Sequence, residues 1–210
     1  MIGTALVHVV DDDQGVRDSL AFLLQSAGFG VCTYDSADAF LAVAPGLVCG
    51  CVLTDVRMPG MDGLALQRHL AALGGSLAVV VMTGHADVPI AVGALKAGAR
   101  DFLEKPFEDD RLFAVVREAL AASQRAQEEQ QASAGIAGRL ATLTPREREV
   151  LDRLVAGLPN KTIAYDLGTS PRTVEVQRAR VMEKMGARSM AELVRMVLAL
   201  ERSSGKPAAP

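Results

Sequence analysis

Acidic, hydroxyl and lysine side chains stand directly after short apolar segments in the first half of the sequence. They are Asp11, Asp12, Asp55, Thr83 and Lys105. Carboxylates held together repel one another, so such a group needs a cation to balance it. Hard oxygen ligands with open positions suit Mg²⁺, which keeps several waters and bridges to phosphate oxygens. With an ammonium and a hydroxyl nearby, one carboxylate can act as a nucleophile and become an acyl phosphate. We predict that Asp55 is this nucleophile and that Asp12 is a metal ligand.

The apolar segments before these side chains alternate with helical patterns. Strands are predicted over residues 5–10, 31–34, 51–54, 77–82 and 101–104, and helices over residues 14–26, 37–44, 64–73, 89–97 and 110–129. This alternation is typical of a doubly wound α/β fold whose parallel sheet is buried on both faces. The carboxyl ends of parallel strands meet at one edge, where open α/β sheets bind ligands. We therefore expect the reactive side chains to share one pocket.

Each acid taken alone has a simpler explanation, as a solvated loop residue or a helix cap. Asp13 in particular is expected to cap the first helix. Four suitable elements placed together at one edge of the sheet favour the pocket instead. A cis bond between Lys105 and Pro106 would direct the lysine into that pocket, although most X–Pro bonds are trans.

Several motifs around these positions resemble the receiver domain of two-component response regulators. The motifs are DD at 11–12, DVRMPGMDG at 55–63, TG at 83–84 and KPF at 105–107. The resemblance covers about residues 5–121 and implies a five-stranded, flavodoxin-like sheet with Asp55 as the phosphoacceptor. It also implies that Asp12 and Asp55 bind Mg²⁺ directly, together with the Arg57 carbonyl, and that Asp11 acts through water.

The resemblance assigns roles to the remaining residues of the pocket. Lys105 would pair with the phosphate, Thr83 would move its hydroxyl toward it, and Phe102 would swing inward as the aromatic partner. The family then joins the face of its fourth helix, fifth strand and fifth helix into a homodimer. Arg57 and His85 occupy positions that vary in such families and tune phosphate lifetime. For His85 alone, an exposed loop histidine is the simpler interpretation.

The second half of the sequence lacks β-rich segments and carries signals for four helices. The capping residues are Thr144 with Pro145 and Glu147, which form a capping box, then Ser170 and Ser189, with Gly186 ending the third helix. Residues 160–185 are predicted to form a helix, a turn and a second helix. The apolar residues expected to share their core are Ile163, Ala164, Leu167, Val174, Val181 and Met185.

The second helix of this pair is predicted to expose a polar and basic face. The exposed residues would be Arg172, Thr173, Glu175, Val176, Gln177, Arg178 and Arg180. This face suits a recognition helix in a DNA major groove, with basic residues near its ends for phosphates. An ordinary helical hairpin with a charged outer face has the same pattern, so the pattern alone leaves both open. Glu183 and Lys184 are expected to face solvent or the fourth helix.

Three further motifs resemble the LuxR-type helix-turn-helix domain. They are LTPREREVL at 143–151, GLPNKTIA at 157–164 and SPRTVEV at 170–176, and the resemblance covers about residues 140–200. Together with TGHADVP at 83–89 and EKPFED at 104–109, they are similar to regulators of the FixJ type. In that group the partner is a haem-based, oxygen-sensing histidine kinase, and the targets are low-oxygen and nitrogen-fixation genes.

The LuxR-type resemblance implies two sets of DNA contacts. Glu175, Val176 and Ala179 would face base edges, and Lys161, Arg172, Thr173, Arg178 and Arg180 would contact phosphates. The sequence departs from relatives that carry lysines at the positions of Glu175 and Ala179. Glu175 can accept a hydrogen bond from a cytosine amino group, or it can pair instead with Arg178 or Arg172.

Charge also divides the chain. The net charge of −3 combines −6 over residues 1–125, −2 over residues 126–138 and +5 over residues 139–210. A basic second half suits a polyanion such as nucleic acid, although a solvated helical surface has the same charge. We predict a receiver domain over 1–123, a helical extension or linker over 124–139, a DNA-binding domain over 140–202 and a disordered tail over 203–210. The linker is either a rigid helix or a flexible tether.

Composition excludes several other classes of protein. The longest apolar runs are far shorter than the roughly 20 residues of a membrane span, and the amino terminus lacks the pattern of a signal peptide. Cys32, Cys49 and Cys51 are odd in number and have no metal-ligand spacing. We expect them to be small core residues of a protein in the reducing cytoplasm, rather than parts of a disulfide scaffold or a zinc finger.

These observations predict a transcription factor switched by phosphorylation. A sensor histidine kinase would phosphorylate Asp55, and the protein would then dimerise and bind double-stranded promoter DNA, with RNA polymerase as a further partner. It would not be an enzyme beyond its own phosphorylation and slow dephosphorylation. One alternative is a Mg²⁺-dependent phosphohydrolase that forms an aspartyl phosphate, but Arg57 occupies the position where a second acid–base Asp is typical. Another is a receiver whose second half binds RNA or a protein.

Overall fold

The computed structural model describes residues 6–84, 93 and 98–203. The chain divides into two compact units, Met1–Glu128 and Glu129–Pro210. Among the described residues, no helix is both long and apolar enough to cross a membrane. The predicted tail lies outside the described residues, except for Ser203, which ends the last helix.

The first unit contains a five-stranded parallel sheet with the strand order β2-β1-β3-β4-β5. The strands are β1 (Leu6–Val10), β2 (Val31–Tyr34), β3 (Gly50–Asp55), β4 (Ala78–Thr83) and β5 (Asp101–Glu104). The described helices are α1 (Gln14–Ser26), α2 (Ala37–Leu41), a 3₁₀ turn (Ala44–Gly46), α3 (Gly63–Leu73) and α4 (Asp109–Ala141), of which α4 continues into the second unit. The predicted doubly wound α/β fold is confirmed. His85 lies outside the described residues, as does the predicted helix over 89–97 apart from residue 93, which is helical.

Aliphatic side chains fill the core on both faces of the sheet. Val7 and Val9 of β1 contribute to the cluster that contains α1 and α4 residues, whereas Val10 contributes to the cluster that contains α2 and α3 residues. Alternation of this kind follows from the two-residue period of a strand. Of the three cysteines, only Cys51 is buried, so the prediction that all three are core residues is wrong for Cys32 and Cys49, which are half-buried.

Two helices of the first unit end at positions that differ from the predictions. The helix predicted over 37–44 ends at Leu41, and Pro45 lies in the first turn of a separate 3₁₀ helix. Proline fixes φ and lacks the N–H that a continuing helix needs. The helix predicted to end at residue 129 continues to Ala141. Its last turns carry Ile136 and Leu140, which pack into an apolar cluster of the second unit.

The second unit is helical throughout its described part. After the end of α4 it contains α5 (Pro145–Val155), α6 (Asn160–Asp166), α7 (Pro171–Met185) and α8 (Met190–Ser203). The predicted capping box at Thr144 has both of its hydrogen bonds, and the Ser170 side chain accepts from the Thr173 N–H. Gly186 follows α7 with φ of 66°, the left-handed conformation that glycine adopts at little cost. The predicted helix starts are therefore confirmed.

Candidate functional site

One lysine joins two carboxylates at the carboxyl edge of the sheet. Asp11 follows β1, Asp55 ends β3 and Lys105 follows β5. The Lys105 Nζ donates to Asp11 Oδ2 at 2.8 Å and to Asp55 Oδ1 at 2.7 Å. We call these three residues the acidic pocket. The sheet order places β3 beside β1 and leaves only β4 between β3 and β5, which brings the three strand ends together.

Backbone N–H groups hold the second oxygen of each carboxylate. Asp11 Oδ1 accepts from the Asp13 N–H at 3.0 Å, and Asp55 Oδ2 accepts from the Arg57 N–H at 2.6 Å. Each carboxylate is therefore fixed through both of its oxygens, and its orientation is set before any ligand arrives. A carboxylate oxygen has further lone pairs, so Asp11 and Asp55 can still accept hydrogen bonds or bind a cation.

The acidic pocket carries an excess of negative charge around a cationic lysine. Burial lowers the pKa of Lys105, but hydrogen bonds and charge attraction from Asp11 and Asp55 outweigh burial, so its pKa is raised above the ordinary value of 10.5. The lysine is therefore an ammonium at neutral pH. Two carboxylates face this one cation, and the neighbouring Asp12 is exposed.

Carboxylate oxygens at this edge form a donor set of the kind that Mg²⁺ accepts. Among the residues that the structure describes, no three or more His, Cys, Asp and Glu side chains lie close enough together to hold a metal ion. Mg²⁺ is usually bound through one or two carboxylates and completes its coordination with waters and phosphate oxygens. Asp12 and Asp55 are the two acids expected to be direct ligands. They supply the two negatively charged carboxylates that such a Mg²⁺ site needs.

Thr83 and Phe102 lie on the strands that flank this edge. Thr83 ends β4 and is buried, and its carbonyl accepts from the Lys105 N–H at 2.7 Å. This bond fixes the backbone from which the lysine side chain extends, and the peptide bond between Lys105 and Pro106 is cis. Phe102 is half-buried on β5. The structure thus places both residues near the ends of neighbouring strands, Thr83 directly before the edge and Phe102 three residues before Lys105.

Arg17 is a residue of this site that sequence reasoning missed. Its Nη1 donates to the carbonyl oxygens of Asp11 at 2.7 Å and Asp12 at 2.9 Å. The guanidinium thereby holds the loop that presents both acids. The signal in the sequence was an arginine in the second turn of a helix that begins just after the acids, one turn from the Asp13 cap.

Gly63 permits a close backbone approach behind Asp55. A Cβ atom at this position would lie 2.0 Å from the Asp55 carbonyl oxygen and 2.9 Å from its carbonyl carbon. The Gly63 N–H donates to the Val56 carbonyl at 3.1 Å, and Asp62 caps α3 by accepting from the Ala65 N–H. The start of α3 therefore lies directly against the backbone of Asp55, which only glycine allows.

The second candidate site is the outer face of α7 with the start of α6. The exposed members of the predicted set are Lys161, Arg172, Thr173, Glu175, Val176, Ala179 and Arg180. Gln177 and Arg178 are half-buried, so the prediction that they are exposed is wrong. Both follow the buried Val174 by about one helical turn and precede the buried Val181, which places them at the border of the inner face. Of the described residues, none forms an ion pair with Glu175.

Lys184 has a different environment from the one predicted. Its Nζ donates to Glu147 Oε2 at 2.6 Å and to the Thr142 carbonyl at 3.1 Å. The expected contact was solvent or the fourth helix of this unit, whereas the observed partners lie at the start of α5 and just after α4. Hydrogen bonds from Lys184 and from the Thr144 N–H lower the pKa of Glu147 below its ordinary value of 4.5, against the opposing effect of burial.

Comparison with protein families identifies one similarity for each unit. The family described as "Response regulator receiver domain" matches residues 7–117. The family described as "Bacterial regulatory proteins, luxR family" matches residues 141–197. The two matches cover the acidic pocket and the helices α5 to α7, respectively.

Full-length relatives have the same arrangement along the chain. The transcriptional regulatory protein FixJ of Azorhizobium caulinodans is 57% identical over 192 residues, 91% of each chain. FixJ of Bradyrhizobium diazoefficiens is 53% identical over 91% of this chain and 94% of its own. The C4-dicarboxylate transport transcriptional regulatory protein DctR of Rhodobacter capsulatus is 48% identical over 90% of this chain and 98% of its own.

Solved structures show similarity along most of the chain. The response regulator StyR matches with a TM-score of 0.80 and 40% identity, over 93% of this chain and 99% of its own. Full-length FixJ from B. japonicum matches with a TM-score of 0.58 and 52% identity, over 94% of this chain and 98% of its own.

Proposed function

The chain belongs to the FixJ-type response regulators, transcription regulators that join a receiver domain to a LuxR-type DNA-binding domain, and on this basis we propose that phosphorylation of Asp55 controls its binding to promoter DNA. The phosphoryl donor is a sensor histidine kinase. By its similarity to the FixJ group, the kinase is a haem-based oxygen sensor and the targets are low-oxygen and nitrogen-fixation genes.

The observation that carries this proposal is the placement of Lys105 between Asp11 and Asp55. A carboxylate oxygen of Asp55 attacks the phosphorus of a phosphohistidine, an O–P bond forms, the P–N bond breaks and the imidazole leaves with the electron pair. The Lys105 ammonium lies 2.7 Å from Asp55, where it stabilises the charge that develops on the phosphoryl oxygens. Thr83, at the end of the next strand, donates a hydrogen bond from its hydroxyl to the phosphoryl group. The ring of Phe102 then moves inward.

Magnesium is the metal that this donor set favours. Asp12 and Asp55 would hold it directly with the Arg57 carbonyl, and Asp11 would act through water. When bound, Mg²⁺ neutralises charge and orients the phosphoryl oxygens. Arg17 holds the carbonyls of Asp11 and Asp12, so it supports the loop that carries two of these acids.

A groove beside the acidic pocket gives the kinase a place to approach. It has a volume of about 390 Å³ and lies between the start of α1 and residues 105–107. The apolar part of its wall is formed by Val16, Leu20 and Phe107, and Lys105 of the acidic pocket also lines the groove. A partner helix with an apolar face fits such a groove, and its histidine would then lie near Asp55.

We propose that the homodimer interface consists of the face formed by the helix predicted over residues 89–97, together with β5 and α4. Two exposed ion pairs lie on this face, Arg111 with Asp101 at 3.0 Å and Arg100 with Glu118 at 2.9 Å. Exposed pairs contribute little to the stability of a monomer, so they can exchange partners with a second copy at low cost. Dimerisation links two DNA half-sites and multiplies weak single contacts.

The second unit would bind DNA through α7. Arg172 lies in the first turn of α7 and Arg180 past its middle, both exposed, and Lys161 lies at the start of α6. We propose that all three contact phosphates. Arg178 contacts a phosphate from the border of that face, and Thr173 does so beside Ser170, whose hydroxyl lies 2.8 Å away. Glu175, Val176 and Ala179 face base edges. RNA polymerase is the further partner at the promoter.

We also propose domain limits that follow from these roles. The receiver covers residues 1–123, residues 124–139 form a helical extension, and the DNA-binding domain covers residues 140–202. Within α4, residues such as Leu112 and Val116 belong to the core of the receiver, and Leu140 belongs to that of the second unit.

A phosphohydrolase would use the same acids, but the comparisons favour a transcription regulator. Hydrolysis of an independent substrate needs an added acid–base side chain near Asp55, and Arg57 stands at that position. We propose that the chemistry is restricted to its own phosphorylation and slow dephosphorylation. Negligible turnover of a chromogenic phosphate ester is the expected result.

The decisive experiment is intact-mass spectrometry after incubation with acetyl phosphate and Mg²⁺. Wild-type protein should gain one phosphoryl group, and Asp55→Asn should gain none while keeping its fold. Asp18→Asn, an exposed acid on α1, is the matched control and should be phosphorylated normally. Phosphorylation of Asp55→Asn at the wild-type rate would exclude Asp55 as the acceptor.

A further inference from the structure

Hydrogen bonds in both directions connect the last turn of α7 with the last turn of α4 and the segment that follows it. We infer that Arg139 and Lys184 are positioning residues that fix the orientation of α7 for reading base edges. This inference rests on the proposed function, because it assumes that α7 enters DNA. All residues that form the connection belong to the second unit.

Arg139 reaches from α4 to the end of α7. Its Nη1 donates to the Met185 carbonyl at 3.0 Å. The last carbonyls of a helix have no partner within the helix, so this bond satisfies a group that would otherwise need water. A Cβ atom at Gly186 would lie 2.9 Å from Arg139 Nη1. Glycine at this position therefore gives the guanidinium room as well as allowing the left-handed turn.

Lys184 reaches in the opposite direction, from α7 toward the end of α4. Its Nζ donates to the Thr142 carbonyl and to Glu147 Oε2. The side chain of Glu147 is only 3% exposed, and the same Oε2 accepts from the Thr144 N–H at 2.8 Å. Lys184 is thus attached both to the segment after α4 and to the capping box that starts α5.

Apolar packing reinforces the hydrogen bonds. Ile136 and Leu140 of α4 pack against the cluster that contains Val181 and Met185 of α7. The hydrogen bonds of Arg139 and Lys184 and these apolar contacts join the same two helix ends. A displacement of the end of α4 should therefore move the carboxyl end of α7. The last turns of α4 therefore support the helix that is proposed to bind DNA.

The two kinds of DNA contact depend differently on this connection. Lysine and arginine contacts to phosphate carry little sequence information and tolerate small rotations, because the side chains are long. Contacts to base edges depend on the donor and acceptor pattern in the groove and need a fixed helix orientation. Loss of the connection should therefore reduce discrimination between sequences more than it reduces binding itself.

The test measures discrimination with the full-length protein in the presence of Mg²⁺ and beryllofluoride, which mimics the acyl phosphate. A duplex selected from a random library by wild-type protein is the specific probe, and a mixed-sequence duplex of equal length is the reference. Arg139→Ala should weaken binding to the selected duplex by about tenfold, which corresponds to about 1.4 kcal/mol. Binding to the reference duplex should change less than about twofold.

Further variants separate positioning from simple stability. Arg139→Lys keeps a donor for the Met185 carbonyl and should restore most of the discrimination. Arg148→Ala, which removes an exposed pair within α5, is the control and should leave discrimination unchanged. Gly186→Ala should displace the same guanidinium, so its effect on discrimination and that of Arg139→Ala should not add.

Two results with the Arg139 variants would overturn the inference. One is an Arg139→Ala protein that discriminates as well as wild type. The other is an equal loss on both duplexes without rescue by Arg139→Lys, which indicates general destabilisation. If wild-type protein itself selects no duplex, the proposed function fails and the inference fails with it. Lys184→Met should lower discrimination as Arg139→Ala does, and wild-type discrimination by a folded Lys184→Met protein would also contradict the inference.

Discussion

The acidic pocket and the exposed face of α7 are built in opposite ways. In the acidic pocket, Lys105 lies 94 residues from Asp11 and 50 residues from Asp55 in the sequence, and the topology of the sheet brings them together. The candidate DNA contacts, apart from Lys161 of α6, lie within α7, a single helix of 15 residues. Pocket side chains bond to one another, whereas most of those on the helix point into solvent.

This difference predicts how each site responds to substitution. Groups that share a hydrogen-bond network act as a unit, so the effects of changing them do not add. Exposed side chains that contact separate phosphates act independently, and each contributes a small, additive part of the affinity. One substitution in the acidic pocket should therefore remove most of its phosphorylation activity. Each substitution on the exposed face of α7 should weaken DNA binding by a further small amount.

The largest expected effect is that of Lys105→Met. It removes the only ammonium that contacts both carboxylates among the described residues. We expect the rate of phosphorylation by acetyl phosphate to fall about 100-fold, as for the loss of one preorganised donor. We also expect a loss of about 1–3 kcal/mol in stability, because the buried Asp11 loses a charged partner. Intact-mass time courses and urea denaturation measure the two effects.

Lys161→Met is the matched control for this substitution, because it removes an exposed lysine of the second unit. It should leave the rate of phosphorylation unchanged. If Lys105→Met and Asp55→Asn gave additive losses of stability, the acidic pocket would not act as a unit and the comparison would be wrong.

Gly63→Ala is expected to have the next largest effect. Its Cβ would lie 2.0 Å from the Asp55 carbonyl oxygen, so the backbone of Asp55, the proposed phosphoacceptor, must move. Overpacking of this kind costs about 1–3 kcal/mol, and phosphorylation should slow as well. Gly75→Ala is the control, since a Cβ there meets no atom within 4 Å. Equal denaturation midpoints for the two variants would contradict the close approach.

Acid should weaken the second unit through Glu147. Its pKa is lowered in the folded state by hydrogen bonds from Lys184 and Thr144. A group with a lowered folded pKa contributes stability above its ordinary pKa of 4.5 and loses that contribution as the pH falls through the folded value. Hydrogen exchange of peptides from residues 144–155 should therefore accelerate as the pH drops below about 4.5, after correction for intrinsic rates.

Glu147→Gln provides the comparison for this pH dependence. Its neutral amide does not titrate, so the acceleration of exchange at low pH should be smaller than in wild type. Glu149→Gln changes an exposed neighbour and should retain the wild-type profile. A wild-type profile in Glu147→Gln would assign the acid sensitivity to another group.

The smallest effects are expected on the exposed face of α7. Arg172→Ala and Arg180→Ala should each weaken binding to all duplexes alike and lower the salt slope by about 1. The double variant should show the sum of both changes. Fluorescence anisotropy at several salt concentrations measures this. A sequence-dependent loss for Arg180→Ala would place it at a base edge and break the division between the two kinds of contact.

The elements that local chemistry specifies could be predicted from the sequence. Thr144, Ser170 and Asp13 cap helices through bonds to nearby N–H groups, and these bonds depend only on short-range spacing. The parallel sheet followed from alternating apolar segments. The carboxyl ends of parallel strands meet at one edge, which predicts that the acids and the lysine share one pocket. Short motifs separately indicate both domain families.

Features that depend on packing between distant residues could not be predicted in the same way. The segment after residue 129 is polar and contains Gly135 and Gly138, yet it remains helical, and its half-buried Ile136 and Leu140 pack against an apolar cluster of the second unit. The contacts of Lys184 with Thr142 and Glu147 required the relative positions of separate elements. The half-burial of Arg178 depended on which face of α7 the core selects.

The position of Lys105 after the last strand has a consequence for a chain that is still being synthesised. Asp11 and Asp55 leave the ribosome first, and β3 and β4 separate β1 from β5 in the sheet. Domains fold as units once their sequence is available, from the amino terminus onward. A stalled or truncated chain carries the acids without the ammonium that completes their site. Under the proposed function, efficient phosphorylation therefore requires a receiver whose synthesis has passed both this lysine and the core residues of α4.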